Sequence, residues 1–424
     1  MSERDLDVVV FGATGVTGRR VAAYLAERAT ADPKLRWAAA ARDETKLERT
    51  LAEVGVRAPE TIAADISSPP SLTALAARAK VVLDLVGPYT LYGRPMIQAC
   101  IAEGAHYVDL TGELPFVRQT IADFDGPAKA AGVKIVQVCG FEALPPDLLV
   151  ALVAAQARER HGEALAAVDV EVTISSPPGL PRPSDGVSGG TFQSLAAVAG
   201  AEDAAVITDP AVLVADDAGF AADVRRLSPI PLAPRRSADG AVLAPMAPAA
   251  FINPGVIHRS NLLLAQAAGR PPEAFRYREA IALRGGVVSL PVRLAAAGAL
   301  SATQAGVRSL AHARPALRGS LAGALARFGP SSGFGPAADR LENWGWQMCA
   351  IGHTSSGRES VARLEADGHP GYLATARLLG ETGILLAEDG ATPTVAGCLT
   401  PAAALGLQAL ERFRHARLRF SGES

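Results

Sequence analysis

Hydrophobic and polar positions alternate in blocks along the first third of the chain. Valine-rich runs without apolar–polar alternation occur at 6–11 and 81–86, a pattern typical of parallel strands that are covered on both faces. Further strands are predicted at 35–41, at 106–110 and at 133–140, and another short strand is predicted to end at Asp65. Stretches of helical periodicity separate these runs. The alternation predicts an α/β fold whose amino-terminal part is a doubly wound, parallel sheet of the Rossmann type.

The pattern changes beyond residue 145, where several strands alternate apolar and polar residues, as antiparallel strands with one solvated face do. The elements predicted there are helices at 144–160, 372–388 and 401–416 and strands at 168–175, 275–283, 343–353 and 360–366. We therefore predict a Rossmann domain at 1–145, a second α+β domain with an antiparallel sheet at 146–395, and a closing helix at 396–424.

Composition excludes several classes of protein. The chain of 424 residues has 41 Lys+Arg against 43 Asp+Glu, so its formal net charge is −2 and a generally basic, nucleic-acid-coating protein is excluded. The four cysteines are far apart and form no CxxC pair, which argues against a zinc site or a disulfide framework. No apolar run reaches the roughly 18–20 residues of a membrane span. We expect a cytoplasmic protein that binds no metal and no nucleic acid.

The motif GATGVTG lies between the first strand and the first helix, where a dinucleotide site requires it. Gly12 permits the tight turn, Gly15 lets the backbone approach a pyrophosphate, and Gly18 lets the helix pack close to the sheet. The free N–H groups of that helix would then meet the phosphates. The cofactor contacts expected in this turn are Gly12, Thr14, Gly15, Val16, Thr17 and Gly18.

The end of the second strand predicts which dinucleotide binds. An acidic residue there would bind the ribose 2′-hydroxyl of NAD, whereas Arg42, with Lys46 one helical turn on, suits the 2′-phosphate of NADP(H). Alternatively Asp43 caps the following helix while Arg42 is solvated, and both interpretations can hold together. Asp65 is placed to flank the adenine or to cap a turn.

The loop GPYTLYG follows the strand at 81–86, so it should lie near the nicotinamide, with Gly87 and Pro88 contacting the cofactor. Tyr89 and Tyr92 are the candidate catalytic residues, because a phenol can donate a hydrogen bond or a proton to a substrate carbonyl. Their alternative role is amphipathic packing of the loop. No tyrosine is followed by a lysine at YxxxK spacing, so any reduction needs another proton source than the usual Tyr–Lys pair.

Other strand ends carry weaker candidates. Asp109 and Glu113 should reach the same rim, although Glu113 could cap the helix that begins near Pro115. Cys139 is interpreted as structural. Glu142 and Asp147 could orient a substrate, and Asp147 could equally cap a helix. The motif GVSGG at 186–190 lacks the preceding strand of a nucleophile elbow, so we expect a glycine-rich loop that opens a helix at 191–199.

One segment has an unusual charge pattern. Between Ala280 and Ala338 the chain contains six arginines and no acidic residue. Leu310, Leu317, Leu321 and Phe328 share a helical face, which Pro315 interrupts. Basic amphipathic segments lie on anionic membrane surfaces or dock acidic carrier proteins. The third interpretation is an ordinary solvated basic face.

The ordered motifs resemble the saccharopine dehydrogenase-like oxidoreductases over residues 7–410, most closely their trans-acting enoyl reductase branch. The motifs that carry this resemblance are GATGVTG, AARDETKL, VGPYTLYG, YVDLTGE, CGFEALPPDL, SGGT, GFGP, GHPGY and CLTPAAALG. The resemblance implies NADPH-dependent reduction of an enoyl thioester, carried by a coenzyme or a carrier protein, in the synthesis of polyketide-derived lipids. His369 departs from the family's usual DPGY motif.

We therefore expect an NADPH-dependent oxidoreductase in which Tyr89, or secondly Tyr92, polarises the thioester carbonyl. The rival hypotheses are a ketone or imine reductase of the same family and a non-catalytic nucleotide-binding protein that attaches to membranes through 280–338. A homodimer is a further hypothesis.

Overall fold

The computed structural model describes residues 4–177, 189–237, 239–246, 248–285, 289–329, 336 and 340–422; the side chains of 189–191 and 326 lie outside this description. Its architecture consists of two seven-stranded sheets with helices around and between them. One continuous apolar core contains side chains of both, such as Val10 of the first sheet and Trp346 of the second.

The first sheet is entirely parallel, in the strand order β13-β6-β5-β4-β1-β2-β3. Its strands are β1 (Leu6–Phe11), β2 (Trp37–Ala41), β3 (Thr61–Ala63), β4 (Ala79–Asp84), β5 (His106–Asp109), β6 (Lys134–Val136) and β13 (Gly397–Leu399). The connecting helices are α1 (Gly18–Ala31), α2 (Glu44–Ala52), α3 (Pro69–Arg78), α4 (Tyr89–Glu103) and α5 (Leu114–Ala131). The predicted Rossmann-type sheet is confirmed, because its apolar runs are buried on both faces.

The second sheet has the strand order β14-β12-β11-β7-β10-β9-β8. Its strands are β7 (Leu165–Ser175), β8 (Arg235–Arg236), β9 (Val242–Ala244), β10 (Arg276–Leu283), β11 (Gly345–Thr354), β12 (Glu359–Asp367) and β14 (Leu418–Gly422). All described neighbours pair antiparallel except β7 and β10, which are parallel. Burial in β11 and β12 follows the alternation from which these strands were predicted.

The later helices cover the second sheet or return to the first. They are α6 (Leu144–His161), α7 (Gly189–Gly200), α8 (Ala218–Leu227), α9 (Ala249–Ala267), α10 (Leu290–Ala311), α11 (Pro315–Phe328), α12 (Thr375–Ala387) and α13 (Pro401–Leu405). Pro315 was predicted to interrupt a single helix, but it is the first residue of α11. Leu310 lies in α10, whereas Leu317, Leu321 and Phe328 lie in α11, so the four side chains do not share one helical face.

The last part of the chain differs from the predicted closing helix. Strand β13 joins the first sheet and β14 joins the second, so residues 396–424 contribute to both. The predicted helix 401–416 ends at Leu405, because Gly406 adopts a positive φ of 68° that a right-handed helix excludes. Two 3₁₀ turns, Leu407–Ala409 and Arg412–Arg414, lead from there to β14.

Helix α12 follows β12 of the second sheet and packs on the first sheet, so it connects the two sheets. A Cβ at Gly380 would collide with the Tyr24 ring of α1, and one at Gly383 would lie 3.0 Å from Leu83 of β4. The buried carboxylate of Glu381 accepts from Tyr24 Oη at 2.6 Å and from Arg28 Nε at 3.1 Å. The segment that crosses from the second sheet is therefore anchored to α1, the helix that follows the glycine-rich turn.

Candidate functional site

The glycine-rich turn joins β1 to α1 by a very close backbone approach. Gly12 has a φ of 89°, and a Cβ there would lie 3.0 Å from the Leu85 carbonyl oxygen and from Val86 Cγ2. A Cβ on Gly18 would collide with the Gly12 carbonyl oxygen. A side chain at either position would therefore push apart the strand, the helix and the neighbouring loop. These are the roles that the sequence predicts for both glycines.

The start of α1 leaves one backbone N–H group without an acceptor among the described residues. Thr17 is the N-cap residue, and its side chain makes no capping hydrogen bond. The N–H groups of Arg19 and Arg20 donate to the carbonyl oxygens of Gly15 at 3.1 Å and Thr17 at 3.0 Å, so the Gly18 N–H is the helical group that remains available to an anion. Thr14, Gly15 and Thr17 are partly exposed. Val16 is buried and contacts Tyr372 and Leu341, so its side chain supports the turn from the protein side.

The GHPGY motif forms that support. The buried His369 ring packs between Trp344, at a centroid distance of 4.4 Å, and Tyr372, at 4.8 Å. Arg20 donates to the Val16 carbonyl and lies over the Tyr372 ring, and burial lowers the pKa of its guanidinium to about 10. The motif that departs from the family pattern thus buttresses the glycine-rich turn.

The ends of β2 and β3 carry the residues predicted to select the cofactor. Asp43 caps α2 by accepting from Lys46 N at 2.9 Å, as the alternative interpretation held. Arg42 is exposed, and no carboxylate among the described residues forms a salt bridge with it. The positive charge of Arg42 contributes to a lowered pKa of Asp65, although hydrogen bonds from Ser67 are the larger cause. Asp65 therefore caps its own turn, and Arg42 is left for a ligand.

The structure separates the two candidate tyrosines. The peptide bond between Gly87 and Pro88 is cis, and α4 begins at Tyr89, earlier than the predicted 94. The Tyr89 side chain is only 4% exposed, stacks on Phe116 and donates its hydroxyl to the Asp84 carbonyl oxygen at 3.0 Å. Burial raises the pKa of Tyr89 well above its usual value. Tyr92, in contrast, is 40% exposed.

Glu113 explains why α4 begins early. Its buried carboxylate accepts from the backbone N–H groups of Tyr89 at 3.0 Å and of Thr90 at 2.8 Å, so it caps α4 rather than the helix near Pro115. The same carboxylate accepts from Ser194 Oγ of α7 at 2.7 Å. The carboxylate thus neutralises the positive end of α4 and attaches α7 beside it.

Two buried aspartates lie under the loop that carries these tyrosines. The Tyr107 hydroxyl is 3.2 Å from Asp84 Oδ2 and 3.1 Å from Asp109 Oδ2, and both aspartates are fully buried. Burial raises the pKa of Asp84 to about 8 and that of Asp109 to about 7. Asp109 is therefore not at the accessible rim where the sequence placed it. Both carboxyl groups contact the Tyr107 hydroxyl, and two negative charges so close together in a buried site are unfavourable, so the pair favours holding one proton.

The loop after β6 approaches the second sheet. Cys139 is buried, and burial raises the pKa of its thiol well above the usual value, in agreement with a structural role. Asp147 accepts from Ala402 N at 2.8 Å and so caps α13 instead of its own helix. Glu142 is partly buried.

Sequence reasoning missed the partners of this loop, which come from distant elements. Asn253 of α9 donates to the Glu142 carbonyl oxygen at 2.7 Å and to Glu279 Oε2 at 2.6 Å. Tyr277 donates to Glu279 Oε2 at 2.9 Å. A glutamate on the apolar face of the strand predicted at 275–283 was the signal that could have indicated this cluster.

The described residues contain no group of three His, Cys, Asp or Glu side chains that could hold a metal ion. None of their helices is both long enough and apolar enough to span a bilayer. The motif GVSGG at 186–190 lies partly outside the described residues, and α7 begins at Gly189.

Comparison with known proteins agrees with this geometry. Residues 8–136 match the family model of the saccharopine dehydrogenase NADP binding domain, so this part of the chain is an NADP-binding domain. A Mycobacterium tuberculosis protein provisionally named trans-acting enoyl reductase is 36% identical over 96% of this chain and 95% of its own length. Trans-acting enoyl reductases of Mycobacterium ulcerans and Mycobacterium bovis are each 33% identical, covering 97% of this chain and 96% of theirs.

A solved structure shares the fold over almost its full length. Apo saccharopine dehydrogenase (L-Glu forming) from Saccharomyces cerevisiae aligns with a TM-score of 0.51 and 12% identity, covering 98% of this chain and 99% of that one. At that identity the likeness supports the two-sheet fold and nothing more specific.

The Asp84–Asp109 pair predicts how stability varies with pH. Its raised pKa values mean that the folded protein keeps a proton that the unfolded chain releases above about pH 4, so this contribution to the unfolding free energy falls as pH rises from 5 to 8. Asp84→Asn should reduce that fall by on the order of 2 kcal/mol, measured by urea unfolding at both pH values.

The matched control is Asp123→Asn. The hydrogen bond from Arg94 lowers the pKa of Asp123, so this group is ionised at pH 5 and at pH 8 in both states, and its removal should leave the pH dependence unchanged. Equal pH dependence in wild type and Asp84→Asn would show that the pair holds no extra proton.

Proposed function

This chain belongs to the saccharopine dehydrogenase-like family of NADP-dependent oxidoreductases, in the branch of the trans-acting enoyl reductases, and we propose that it reduces the carbon–carbon double bond of an enoyl thioester with NADPH. The observation that carries the proposal is the similarity to those reductases over nearly the full length of the chain. It is supported by the glycine-rich turn of the NADP-binding domain, where no Cβ fits at Gly12 or Gly18. An acyl chain destined for a polyketide-derived lipid is the substrate class that we include in this proposal.

The residues present fit a dinucleotide phosphate. The Gly18 N–H at the start of α1 suits the pyrophosphate, since no group among the described residues accepts from it. Arg42 suits the 2′-phosphate because a planar guanidinium binds phosphate through two N–H groups. Lys46 lies one turn away on the exposed side of α2, and Leu85 and Val86, which precede Gly87 and Pro88, border Gly12. When bound, the nicotinamide supplies a hydride ion for the β-carbon of the substrate.

The remaining task of the protein is to polarise the thioester carbonyl. Tyr89 was expected to do so, but its hydroxyl is buried and donates to the Asp84 carbonyl oxygen. Tyr92 lies in the first turn of the same helix with 40% of its side chain exposed, and it is a better candidate for the donor. A phenol placed at the carbonyl stabilises the negative charge that develops on oxygen.

A surface beside Tyr92 supports a carrier-bound substrate. Every exposed large apolar side chain among the described residues lies on four helices, α4, α7, α10 and α11. Six of them lie on α4, α7 and α11, where α7 contacts both of the other helices. We call these six the outer apolar surface; it comprises Leu91, Tyr92, Leu195, Leu317, Leu321 and Phe328. Exposed apolar patches of this kind mark docking sites. Exposed Arg314 and Arg327 lie among them, which favours an acidic carrier protein as the partner.

Other arginines of the segment 280–338 have partners inside the protein. Arg318 is buried and donates to the carbonyl oxygens of Ala201 at 2.6 Å and Glu202 at 3.2 Å, so it caps the end of α7. Arg284 forms salt bridges with Glu171 and Asp239. The basic character available to a partner is therefore confined to the outer helices, and anionic membrane contact through the same surface is the competing hypothesis.

Arg42→Ala tests the cofactor assignment. Loss of a charge-assisted contact with the 2′-phosphate should weaken NADPH binding by about 10- to 100-fold and leave NADH binding unchanged, as measured by calorimetry. Arg49→Ala, on the exposed face of α2, is the matched control. An equal loss for both nucleotides would contradict a specific contact with the extra phosphate.

Tyr92→Phe tests the reaction and the polarising residue together. With a panel of enoyl, keto and imino substrates, we expect NADPH oxidation with enoyl thioesters and a decrease in kcat of roughly 100-fold in this variant. Tyr89→Phe should retain its kcat, because that hydroxyl serves the fold. Preference for a ketone or imine would identify a different reductase of the family, and undiminished turnover would exclude Tyr92.

The double variant Arg314→Glu and Arg327→Glu tests carrier docking. The KM for a carrier-bound enoyl substrate should rise by about 10-fold, while that for the same acyl group on coenzyme A stays constant. Arg226→Glu, an exposed position on α8, serves as the control. Unchanged carrier kinetics together with loss of flotation on anionic vesicles would support the membrane hypothesis instead.

A further inference from the structure

The polar cluster around Glu279 lacks a donor. Glu279 and Asn253 are 3% and 0% exposed, so their polar atoms cannot rely on bulk water. Both donors near Glu279 go to its Oε2, which leaves Oε1 without a partner among the described residues. Asn253 Oδ1 is likewise unpartnered in that part of the chain.

A carboxylic proton supplies what this cluster lacks. The orientation of the Asn253 amide is settled, because both of its contacts are oxygen acceptors and must face the NH₂ group. The two unpartnered atoms, Glu279 Oε1 and Asn253 Oδ1, are therefore both acceptors without a donor among the described residues. A proton on Glu279 Oε1 would convert one of these acceptors into a donor.

A second carboxyl group belongs to the same cluster, because Asn253 joins the Glu142 carbonyl oxygen to Glu279 Oε2. Burial is the main cause that raises the pKa of Glu279 to about 7, and the negative charge of Glu142 contributes to that shift. Burial also raises the pKa of Glu142. Facing them are Tyr277 from β10 and, at longer range, Asp147 from α6, and no described lysine or arginine forms a salt bridge with either glutamate. For two buried carboxyl groups that raise each other's pKa, a state with one proton is favoured over a state with two negative charges.

Glu142 occupies the edge of the sheet where a ligand would lie. Its Oε2 is 3.1 Å from the position that a Cβ on Gly140 would take, beside Leu110, which follows β5, and Thr375. Gly140 therefore leaves the space that this carboxyl group uses. The loop that carries Glu142 follows β6 and the glycine-rich turn follows β1, so both belong to the carboxyl edge of the first sheet, where three strand spacings separate β6 from β1. Glu142 is partly exposed, whereas Glu279 lies behind it.

We propose that Glu142 is the acid that protonates the α-carbon of the substrate and that Glu279 is a positioning residue that keeps the shared proton available. This rests on the proposed enoyl reduction. Addition of hydride to the β-carbon moves the double-bond electrons to an enolate; the O–H bond of Glu142 then breaks as a C–H bond forms at the α-carbon. The resulting carboxylate regains a proton from solvent. The pair thus takes the place of the YxxxK proton source that this chain lacks.

Kinetics of Glu142→Gln test the acid. With an α-methyl enoyl thioester, kcat should fall by about 100-fold while NADPH affinity is retained, and the product should lose its preferred configuration at the α-carbon because water protonates both faces. The decline of wild-type activity as pH rises through the shared pKa should disappear. Glu279→Gln should shift that decline to lower pH, because Glu142 loses its like-charged neighbour.

The control is Glu411→Gln, an exposed residue that pairs with Arg414. Glu142→Asp, which keeps a carboxyl group, should recover part of the activity and would show that loss in Glu142→Gln is not misfolding. Retention of kcat, of the alkaline decline and of the α-configuration in Glu142→Gln would overturn the proposal.

Infrared spectroscopy of the nucleotide-free protein with ¹³C-labelled glutamate tests the pair without turnover. At neutral pH we expect the carbonyl stretch of a protonated glutamate in the wild-type protein. In each single variant the band should disappear at a lower pH as pH rises. In the double variant Glu142→Gln and Glu279→Gln the band should be absent. The label excludes the Asp84–Asp109 pair. A wild-type spectrum without this band overturns the shared proton, even if enoyl reduction is established; a protein with the band that reduces no enoyl thioester refutes the proposed reaction instead.

Discussion

The contact between the backbones of Gly12 and Gly18 is the constraint on which the candidate site depends. Because no Cβ fits at either position, α1 can begin directly above β1, and among the described residues nothing accepts from the Gly18 N–H. Val16 in the same turn contacts Tyr372, and α12 contacts α1 through Gly380 and Glu381. The geometry of the anion-binding turn is therefore maintained by chain segments that lie more than 350 residues away in sequence.

Charge is distributed unequally along the carboxyl edge of the first sheet. The end near β2 carries the exposed Arg42, which suits a phosphate. On the other side of β1, the ends of β4 and β5 carry buried carboxyl groups with raised pKa values, Asp84 and Asp109, and β10 of the second sheet contributes Glu279. A low-dielectric region of this kind holds protons at neutral pH, and the phosphate-binding end does not. The edge therefore combines the two chemistries that a nicotinamide-dependent reduction needs.

The outer helices add an apolar surface to this edge. Glu113 joins the start of α4, which carries Tyr92, to Ser194 of α7, and α11 packs on α7 with Arg318 capping its end. Buried polar contacts thus fix the position of helices whose outward faces remain apolar. Such an arrangement favours a rigid docking surface beside the site over a loosely attached segment.

The sequence alone determined the parallel sheet, the glycine-rich turn and the NADP-binding assignment, because valine-rich runs without apolar–polar alternation and a strand–GxxGxxG–helix order are local patterns. It ranked Tyr89 above Tyr92 as the polarising residue, because the two lie three residues apart in one helix and only tertiary packing against Phe116 buries the first. Likewise, only the tertiary structure decided that Glu113 caps α4, that Gly406 ends the predicted last helix, and that Asn253 and Glu279 meet Glu142. Hydrogen bonds between distant segments leave no periodicity in the chain, and burial, which sets the protonation of these carboxyl groups, exists only in the folded protein.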